Sequence, residues 1–247
     1  MTESVVVVTG AGRGIGGCIA RSLAKDGARV VLAGRTASSL ESVRTAIEAD
    51  GGTALVHPTD VTDEASVASL FAAADETFGR VDVLVNNAGV GAHTELQDLT
   101  ASDWEQVFAT NVRGMFLCSR EAGRRFHEAG AGRAINIASV FGLVGRSGFA
   151  AYSASKGAVI SFTRSVAVEW ARVGAQMNTV APGLIATDIN AELRADTALY
   201  KHVLRGIPAG RMGTVEEIAG VVTYLSLYAP DFLTGQTIAV DGGESSV

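Results

Sequence analysis

Short runs of apolar residues alternate with longer amphipathic stretches along almost the whole chain. The strand-like runs fall near residues 5–9, 29–33, 53–57, 82–86, 133–138, 175–181 and 236–240. The helical patterns fall near residues 15–26, 37–50, 63–78, 103–129, 152–173 and 214–228. Strands that alternate with helices form a parallel sheet with helices packed on it. The pattern predicts an α/β fold, a Rossmann-type doubly wound parallel sheet of about seven strands with helices on both faces.

The chain shows no repeat, low-complexity tract or linker. Its 247 residues suit one large domain, and we predict a single dinucleotide-binding and catalytic domain over residues 1–247. The stretch from Thr187 to Gly210 interrupts the alternation, because no strand fits in it. An insertion after the carboxyl end of a strand usually covers a site, so we predict a substrate lid near residues 187–210.

Charge and cysteine usage restrict the partners. The net charge of −6 argues against a nucleic-acid partner, which requires a basic face. Cys18 and Cys118 lie in apolar helical patterns and the histidines lack metal-ligand spacing, which predicts buried thiols and no metal. No signal-peptide pattern and no apolar stretch of about 18 residues is present. We therefore expect a cytoplasmic protein without a membrane partner.

A glycine-rich turn joins the first strand to the first helix. Glycine allows a sharp turn and close approach of a ligand, and a helix N-terminus offers free N–H groups and a positive dipole end to a pyrophosphate. Such a turn alone is a weak signal, but its position between a first strand and a helix favours dinucleotide binding. The predicted pyrophosphate-contacting residues are Gly10, Gly12, Arg13, Gly14, Ile15 and Gly16.

The end of the second strand selects between NAD(H) and NADP(H). NAD-binding sites usually place a carboxylate there for the ribose 2′-hydroxyl, whereas this chain has Arg35 and Thr36. A guanidinium pairs well with a 2′-phosphate, and Arg13 would add a second cation. We predict NADP(H) in preference to NAD(H); the alternative is that both arginines are solvated surface residues.

Further motifs follow the glycine turn in order along the chain. They are Asp60-Val61, Asn86-Asn87-Ala88-Gly89, Asn111, Ser139, Tyr152-x-x-x-Lys156 and Pro182-Gly183 with Thr187. From residue 5 to about residue 243, the chain resembles the short-chain dehydrogenase/reductase family, nearest to its 3-oxoacyl-(acyl-carrier-protein) reductase-like members. That branch is not sharply separated from sugar, polyol and general ketone reductases.

The resemblance implies roles for these residues. The catalytic tetrad would be Asn111, Ser139, Tyr152 and Lys156, and the assembly would be a homotetramer. The remaining cofactor contacts would be Asp60 and Val61 at the adenine, Asn87, Ala88 and Gly89 at the adenosine and ribose, and Tyr152, Lys156, Pro182, Gly183, Ile185 and Thr187 near the nicotinamide. Two alternatives stay open, because Asp60 and Thr187 would each also suit a helix N-cap.

Reduction of a ketone requires a hydride donor and an acid for the oxygen. Tyr152 would be the acid, and Lys156 lies on the same face of a helix four residues later. A cation about 4 Å away at an effective dielectric constant of about 20 supplies about 4 kcal/mol, enough to lower the pKa of a phenol by about 3 units. Ser139 would hydrogen-bond the substrate oxygen, and by resemblance Asn111 would hold a water that connects Lys156 to solvent.

The residues near the tetrad predict a mostly apolar substrate pocket. They are Phe141, Val144, Arg146, Phe149, Leu184 and Ile189. Arg146 would meet an anionic group or extend into solvent. The segment 126–133 carries little positive charge for docking an acidic carrier protein, although other arginines remain nearby.

Several functions stay open. The substrate would be a small carbonyl or alcohol: a 3-oxoacyl thioester, a free ketone or a sugar-derived acid. Sugar-nucleotide epimerases also use Tyr-x-x-x-Lys, but they usually have a longer C-terminal substrate domain. A methyltransferase on the same kind of sheet and a non-catalytic NADP(H)-sensing protein are further alternatives, and the intact tetrad argues against the sensor.

Overall fold

Seven parallel strands form the centre of the molecule, a computed structural model that describes residues 4–187 and 197–246. The strands are β1 (Val5–Thr9), β2 (Arg29–Gly34), β3 (Thr53–Pro58), β4 (Val83–Asn86), β5 (Gly132–Ile137), β6 (Ala175–Pro182) and β7 (Thr237–Val240). Their order in the sheet is β3-β2-β1-β4-β5-β6-β7. The strand order reverses between β1 and β4, and doubly wound sheets bind ligands at the carboxyl ends of the strands at such a reversal.

Helices cover both faces of this sheet. They are α1 (Gly14–Lys25), α2 (Ala37–Ala49), α3 (Glu64–Phe78), α4 (Ala101–Phe108), α5 (Met115–Ala129), α6 (Ala150–Ala171), α7 (Thr197–Leu204) and α8 (Val215–Leu227). The continuous valine run of β1 serves both layers, because successive side chains of a strand point to opposite faces. Val6 and Val8 pack in one core with α1, α2 and α8, and Val5 and Val7 pack in the other with α3 and α5. The predicted single Rossmann-type domain is confirmed.

The prediction of one continuous helix over residues 103–129 is wrong. The structure divides it into α4, a π-helical segment (Ala109–Gly114) and α5. A capping box between Thr100 and Asp103 starts α4, which agrees with the sequence pattern. The π-helical segment carries Asn111, and its Gly114 packs against Val61. π-bulges are frequent at functional sites, and side-chain periodicity does not reveal them.

The predicted lid is described in part. Helix α7 lies within the predicted range of 187–210, and the residues up to Gly210 follow it as turns. Residues 188–196, including the predicted pocket residue Ile189, lie outside the described residues. Among the helices of the described ranges, none is long and apolar enough to cross a membrane.

Candidate active site

The glycine turn after β1 is shaped for close backbone contact. Gly10 and Gly14 have φ values of 65° and 55°, in the left-handed region that favours glycine. A Cβ atom on Gly16 would lie 2.2 Å from the Gly10 carbonyl oxygen and 2.4 Å from Nδ2 of Asn87. The turn therefore has no space for a larger residue in place of Gly16.

The N-terminus of α1 follows this turn with its backbone donors available. Arg13 is the N-cap residue and makes no side-chain capping hydrogen bond, and the first turn contains no acidic residue. Unsatisfied N–H groups and the positive end of the helix dipole favour an anion there. A Cβ atom on Gly14 would lie 4.0 Å from the Thr187 methyl group, so the last predicted cofactor motif lies beside the first. The residues present fit a dinucleotide pyrophosphate.

The carboxyl end of β4 is tied to this turn by hydrogen bonds. Thr9 Oγ1 accepts from the backbone N–H groups of Asn87 and Ala88, both at 3.0 Å. Asn87 Nδ2 donates to the carbonyl oxygens of Thr9 and Gly10 at 3.0 and 3.2 Å. The Asn87 side-chain amide thus holds the turn in shape, a role that the sequence does not reveal.

Arg35, directly after β2, lies near enough to Asp60, shortly after β3, to affect its pKa. Asp60 Oδ1 accepts hydrogen bonds from the Thr62 backbone N–H at 2.9 Å and the Thr62 hydroxyl at 2.8 Å. These bonds, with a smaller contribution from the Arg35 guanidinium, lower the pKa of Asp60. Helix α3 is capped by Asp63 and not by Asp60, so the alternative role of Asp60 as its N-cap is wrong. Arg35, Thr36 and Arg13 are exposed.

Tyr152 and Lys156 lie near the start of α6, beside the end of β5. Lys156 Nζ donates to the carbonyl oxygen of Ile137 at 2.8 Å and lies 5.6 Å from the centroid of the Tyr152 ring. The Ser139 hydroxyl hydrogen-bonds that of Tyr152, and Ser139 Oγ also accepts from the Phe141 N–H at 3.2 Å. The structure therefore brings these three predicted catalytic residues together.

Burial shifts the pKa values of Tyr152 and Lys156. It raises the pKa of Tyr152 above its ordinary value, and the hydrogen bond from Ser139 offsets only part of that rise. It also lowers the pKa of Lys156 to about 8, since that side chain is 4% exposed. The expectation that Lys156 lowers the pKa of Tyr152 is wrong for the chain alone, because the ammonium group is directed at the Ile137 carbonyl. At neutral pH Tyr152 holds its proton and is ready to donate it.

Asn111 joins the catalytic helix to the loop after β4. Its Oδ1 accepts from the Val90 N–H and its Nδ2 donates to the Val90 carbonyl oxygen, both at 2.8 Å. Nδ2 also donates to Ser155 Oγ at 3.0 Å, and the Ser155 hydroxyl donates to the Tyr152 carbonyl oxygen at 2.7 Å. The amide of Asn111 is thus part of the local framework. Ser155 was missed by the sequence analysis, although it directly precedes Lys156.

Aromatic rings form one wall of the predicted pocket. The ring centroids of Phe141 and Phe149 are 5.2 Å apart, and each lies 6.4 Å from that of Tyr152. Arg146 extends over Phe141, with Cζ 5.9 Å from the ring centroid. The ring of His93 packs edge-on against Phe149 at 5.3 Å, and no motif in the sequence had indicated it. Val144 and Leu184 are half-buried.

Comparison with known proteins adds the following findings. A family model described as Enoyl-(Acyl carrier protein) reductase matches residues 10–245. Gluconate 5-dehydrogenase of Gluconobacter oxydans (strain 621H) is 41% identical over 96% of this chain and 93% of that protein. A 3-oxoacyl-[acyl-carrier-protein] reductase of Synechocystis sp. is 40% identical over 98% of this chain and 97% of that protein. The crystal structure of a gluconate 5-dehydrogenase from Burkholderia cenocepacia J2315 in complex with NADP and tartrate superposes with a TM-score of 0.94, at 35% identity, over 100% of this chain and 97% of that one.

Proposed function

The chain belongs to the short-chain dehydrogenase/reductase family and is an oxidoreductase, and from this premise we propose that it interconverts a ketone and a secondary alcohol with Tyr152 as the proton donor. The observation that carries the proposal is the protonated Tyr152 phenol, hydrogen-bonded to Ser139 beside an aromatic pocket wall. When bound, NADPH would supply the hydride to the carbonyl carbon. The Tyr152 hydroxyl donates its proton to the developing alkoxide, and Ser139 orients the substrate oxygen.

We infer that Lys156 and Asn111 assist this proton transfer by positioning Tyr152. Lys156 donates to the Ile137 carbonyl oxygen from a buried position, and by the family resemblance its ammonium group would also hydrogen-bond the cofactor ribose. Asn111 ties the loop after β4 to the Tyr152 helix through Val90 and Ser155. We infer that these contacts keep the Tyr152 hydroxyl at one distance from the reacting carbon.

The test is the loss of NADPH absorbance with a panel of carbonyl compounds, and the gain of absorbance with the matching alcohols. The panel contains a 3-oxoacyl thioester, a keto-sugar acid, a polyol-derived ketone and an aryl ketone. Turnover of at least one ketone that disappears in the Tyr152→Phe variant supports the proposal. Binding of NADPH without turnover of any panel member would favour a non-catalytic cofactor-sensing protein.

We propose NADP(H) in preference to NAD(H). The support is Arg35 at the end of β2, exposed and close to Asp60, with Arg13 exposed in the glycine turn. We predict that Arg35→Asp reverses the preference, because a carboxylate repels a 2′-phosphate and accepts from a 2′-hydroxyl.

The measurement is the ratio of kcat/KM for NADPH to that for NADH, which we expect to fall at least tenfold in Arg35→Asp. Arg21→Asp on the exposed face of α1 is the matched control, since the ion pair of Arg21 within the described ranges is a long one, with Asp50 at 3.6 Å. An unchanged ratio in Arg35→Asp, or a wild-type preference for NADH, would contradict the cofactor proposal.

The substrate is either a 3-oxoacyl thioester or a sugar-derived or polyol-derived compound. Relatives of both kinds match almost the whole chain. Arg146 favours the second class: it is exposed, its guanidinium lies over Phe141 at the pocket, and it also interacts electrostatically with Glu244. An exposed guanidinium at the pocket suits a carboxylate or a hydroxylated tail. Arg146→Ala should therefore raise KM for a keto-sugar acid more than for an uncharged aryl ketone.

A further inference from the structure

Residues 241–246 form a compact turn, which we call the C-terminal turn. Asp241 organises it: Oδ1 accepts from the Gly243 N–H at 2.9 Å, and Oδ2 accepts from the Ser245 N–H at 2.8 Å and the Ser245 hydroxyl at 2.5 Å. Burial acts to raise the pKa of Asp241, but the hydrogen bonds from Ser245 and Gly243 outweigh it and lower that pKa. Asp241 is therefore a carboxylate at neutral pH, and all of these donors are directed at it.

The C-terminal turn packs directly on the segment that follows β6. The Gly183 N–H donates to the Val240 carbonyl oxygen at 3.0 Å, and a Cβ atom on Gly183 would lie 2.8 Å from Cα of Asp241. The carboxyl group of Glu244 receives a hydrogen bond from the Leu184 backbone N–H. The position of Gly183 and Leu184 thus depends on where the C-terminal turn lies.

The same turn also holds the residues that follow α7. The Ala209 N–H donates to the Gly242 carbonyl oxygen at 3.0 Å. Gly242 and Gly243 have φ values of 64° and 90°, and Cβ atoms on them would lie 2.9 Å from Cβ of Ala209 and 3.2 Å from Cγ of Pro208. The turn fits this closely only because both positions are glycine.

Backbone hydrogen bonds to Gly213 hold the segment after β6 on the side away from the C-terminal turn. The Gly213 N–H donates to the Leu184 carbonyl oxygen at 3.0 Å, and the Ala186 N–H donates to the Gly213 carbonyl oxygen at 2.9 Å. Residues 183–186 therefore lie between the Gly213 bridge and the C-terminal turn. Their backbone is fixed by hydrogen bonds to two distant parts of the chain.

We propose that Asp241 is a positioning residue for hydride transfer. Its carboxylate sets the shape of the C-terminal turn, and that turn holds residues 183–186 in register with the glycine turn at α1. The part of the proposal that concerns the nicotinamide rests on the proposed function, in which Gly183, Ile185 and Thr187 contact that ring. Asp241 acts through the backbone of Gly183 and Leu184.

Hydrogen exchange tests the structural half without any substrate. In Asp241→Ala we expect the amides of Gly183, Ala186 and Ala209 to exchange at least tenfold faster than in the wild type, while the Ala138 amide, bonded to Val180 in the sheet, stays unchanged. Ser246→Ala is the matched control, because Ser246 is exposed and the hydrogen bonds to the Asp241 carboxylate come from Gly243 and Ser245. Unchanged exchange at Gly183 and Ala186 in Asp241→Ala would overturn the proposal.

Kinetic measurements test the part of the proposal that concerns hydride transfer. With NADPH carrying deuterium at the transferred position, Asp241→Ala should lower kcat at least tenfold and increase the primary isotope effect, because a loosened nicotinamide segment makes hydride transfer slower than product release. The Kd for NADPH should change less than threefold, since the adenosine end is held elsewhere. A lower melting temperature with kcat and isotope effect unchanged would show a merely structural role and overturn the proposal.

Two milder variants cover the case in which Asp241→Ala does not fold. Asp241→Asn keeps one acceptor oxygen, and Ser245→Ala removes the hydroxyl contact at 2.5 Å. Both should give smaller changes of the same kind, and wild-type values in both would contradict the role. If the wild type turns over no ketone or alcohol, the proposed function fails, and the exchange measurement still decides whether Asp241 positions residues 183–186.

Discussion

At the scale of single residues, burial shifts the pKa values of the proposed catalytic pair, Tyr152 and Lys156. Tyr152 retains its proton because burial outweighs the hydrogen bond from Ser139. Lys156 loses its proton more easily than an exposed lysine, with a pKa of about 8. Burial therefore pushes the two pKa values apart, so that the phenol holds its proton more tightly and the amine less tightly than usual.

We predict that Tyr152→Phe lowers kcat by at least a thousandfold, because the ring remains and only the proton donor is lost. NADPH affinity should change little, since the glycine turn and Arg35 are distant in sequence and untouched. Stopped-flow turnover and fluorescence titration of NADPH measure the two quantities. Tyr224→Phe, on the exposed face of α8, is the control, and near-normal kcat in Tyr152→Phe would refute the acid assignment.

Lys156 should make stability depend on pH. Its pKa in the folded state is about 8, against an ordinary value of 10.5, so the unfolded chain binds the proton more tightly. Below about pH 8 the folded state therefore bears the full free-energy cost of burying the charged Lys156 ammonium group. This cost disappears as the pH rises towards 10.5. Relative to Lys156→Met, the free energy of unfolding of the wild type should rise by about 2 to 3 kcal/mol between pH 7 and pH 10.

Urea unfolding at the two pH values measures this difference. Lys25→Met serves as the control, because Lys25 is exposed at the end of α1. A difference between wild type and Lys156→Met that stays constant with pH would show that Lys156 is not desolvated as described.

At the scale of elements, the π-helical segment decides how the loop after β4 meets α6. The wider turn carries Asn111, which is 2% exposed, and its amide satisfies both backbone groups of Val90. A regular helix over residues 109–114 would change the direction of this side chain. The segment thus links the loop that carries Gly89 to the helix that carries Tyr152.

Replacement of Asn111 by Leu should lower the free energy of unfolding by about 3 kcal/mol, because the two backbone groups of the half-buried Val90 lose their partners at about 1–3 kcal/mol each. We also expect kcat to fall, since the loop beside Tyr152 loses its attachment. Urea unfolding and the ketone assay test both. Gln106→Leu, at an exposed position of α4, should change neither, and an equal loss in the two variants would contradict the argument.

At the scale of the whole molecule, two apolar surfaces remain uncovered on the described chain. One lies on the outer faces of α5 and α6, where Val168 is 73% exposed on α6 and Phe116, 41% exposed on α5, lines an open groove of about 620 Å³. The other lies near α8 and β7, where Phe232 is fully exposed. Large exposed apolar patches are typical of interfaces, and we propose that they pair copies of the chain across two axes in a homotetramer.

Val168→Asp should convert the tetramer into a dimer, because it places a charge in the proposed α5–α6 interface. Light scattering coupled to size exclusion measures the mass as a multiple of the 25.4 kDa chain. Glu76→Lys on the exposed face of α3 changes charge outside both surfaces and should leave the tetramer intact. A wild-type monomer would contradict the proposed assembly.

Sequence patterns were sufficient for those features that depend on neighbours along the chain. Continuous apolar runs predicted every strand of the sheet to within about two residues, because a strand buried on both faces has few polar positions. The glycine turn and the Tyr152-x-x-x-Lys156 spacing were visible for the same reason, since a turn and one helix face are local. These patterns also placed the chain in its family.

Contacts between distant residues decided the rest. The π-helical turn at Asn111, the direction of Lys156 toward the Ile137 carbonyl and the raised pKa of Tyr152 all depend on groups that the fold brings near. The C-terminal turn is the clearest case, because α7, α8 and β7 lie between Gly183 and Asp241 in sequence, whereas the two residues pack together in space. Periodicity shows that a residue is buried, but only the tertiary structure determines which partner it meets and how strongly water is excluded around it.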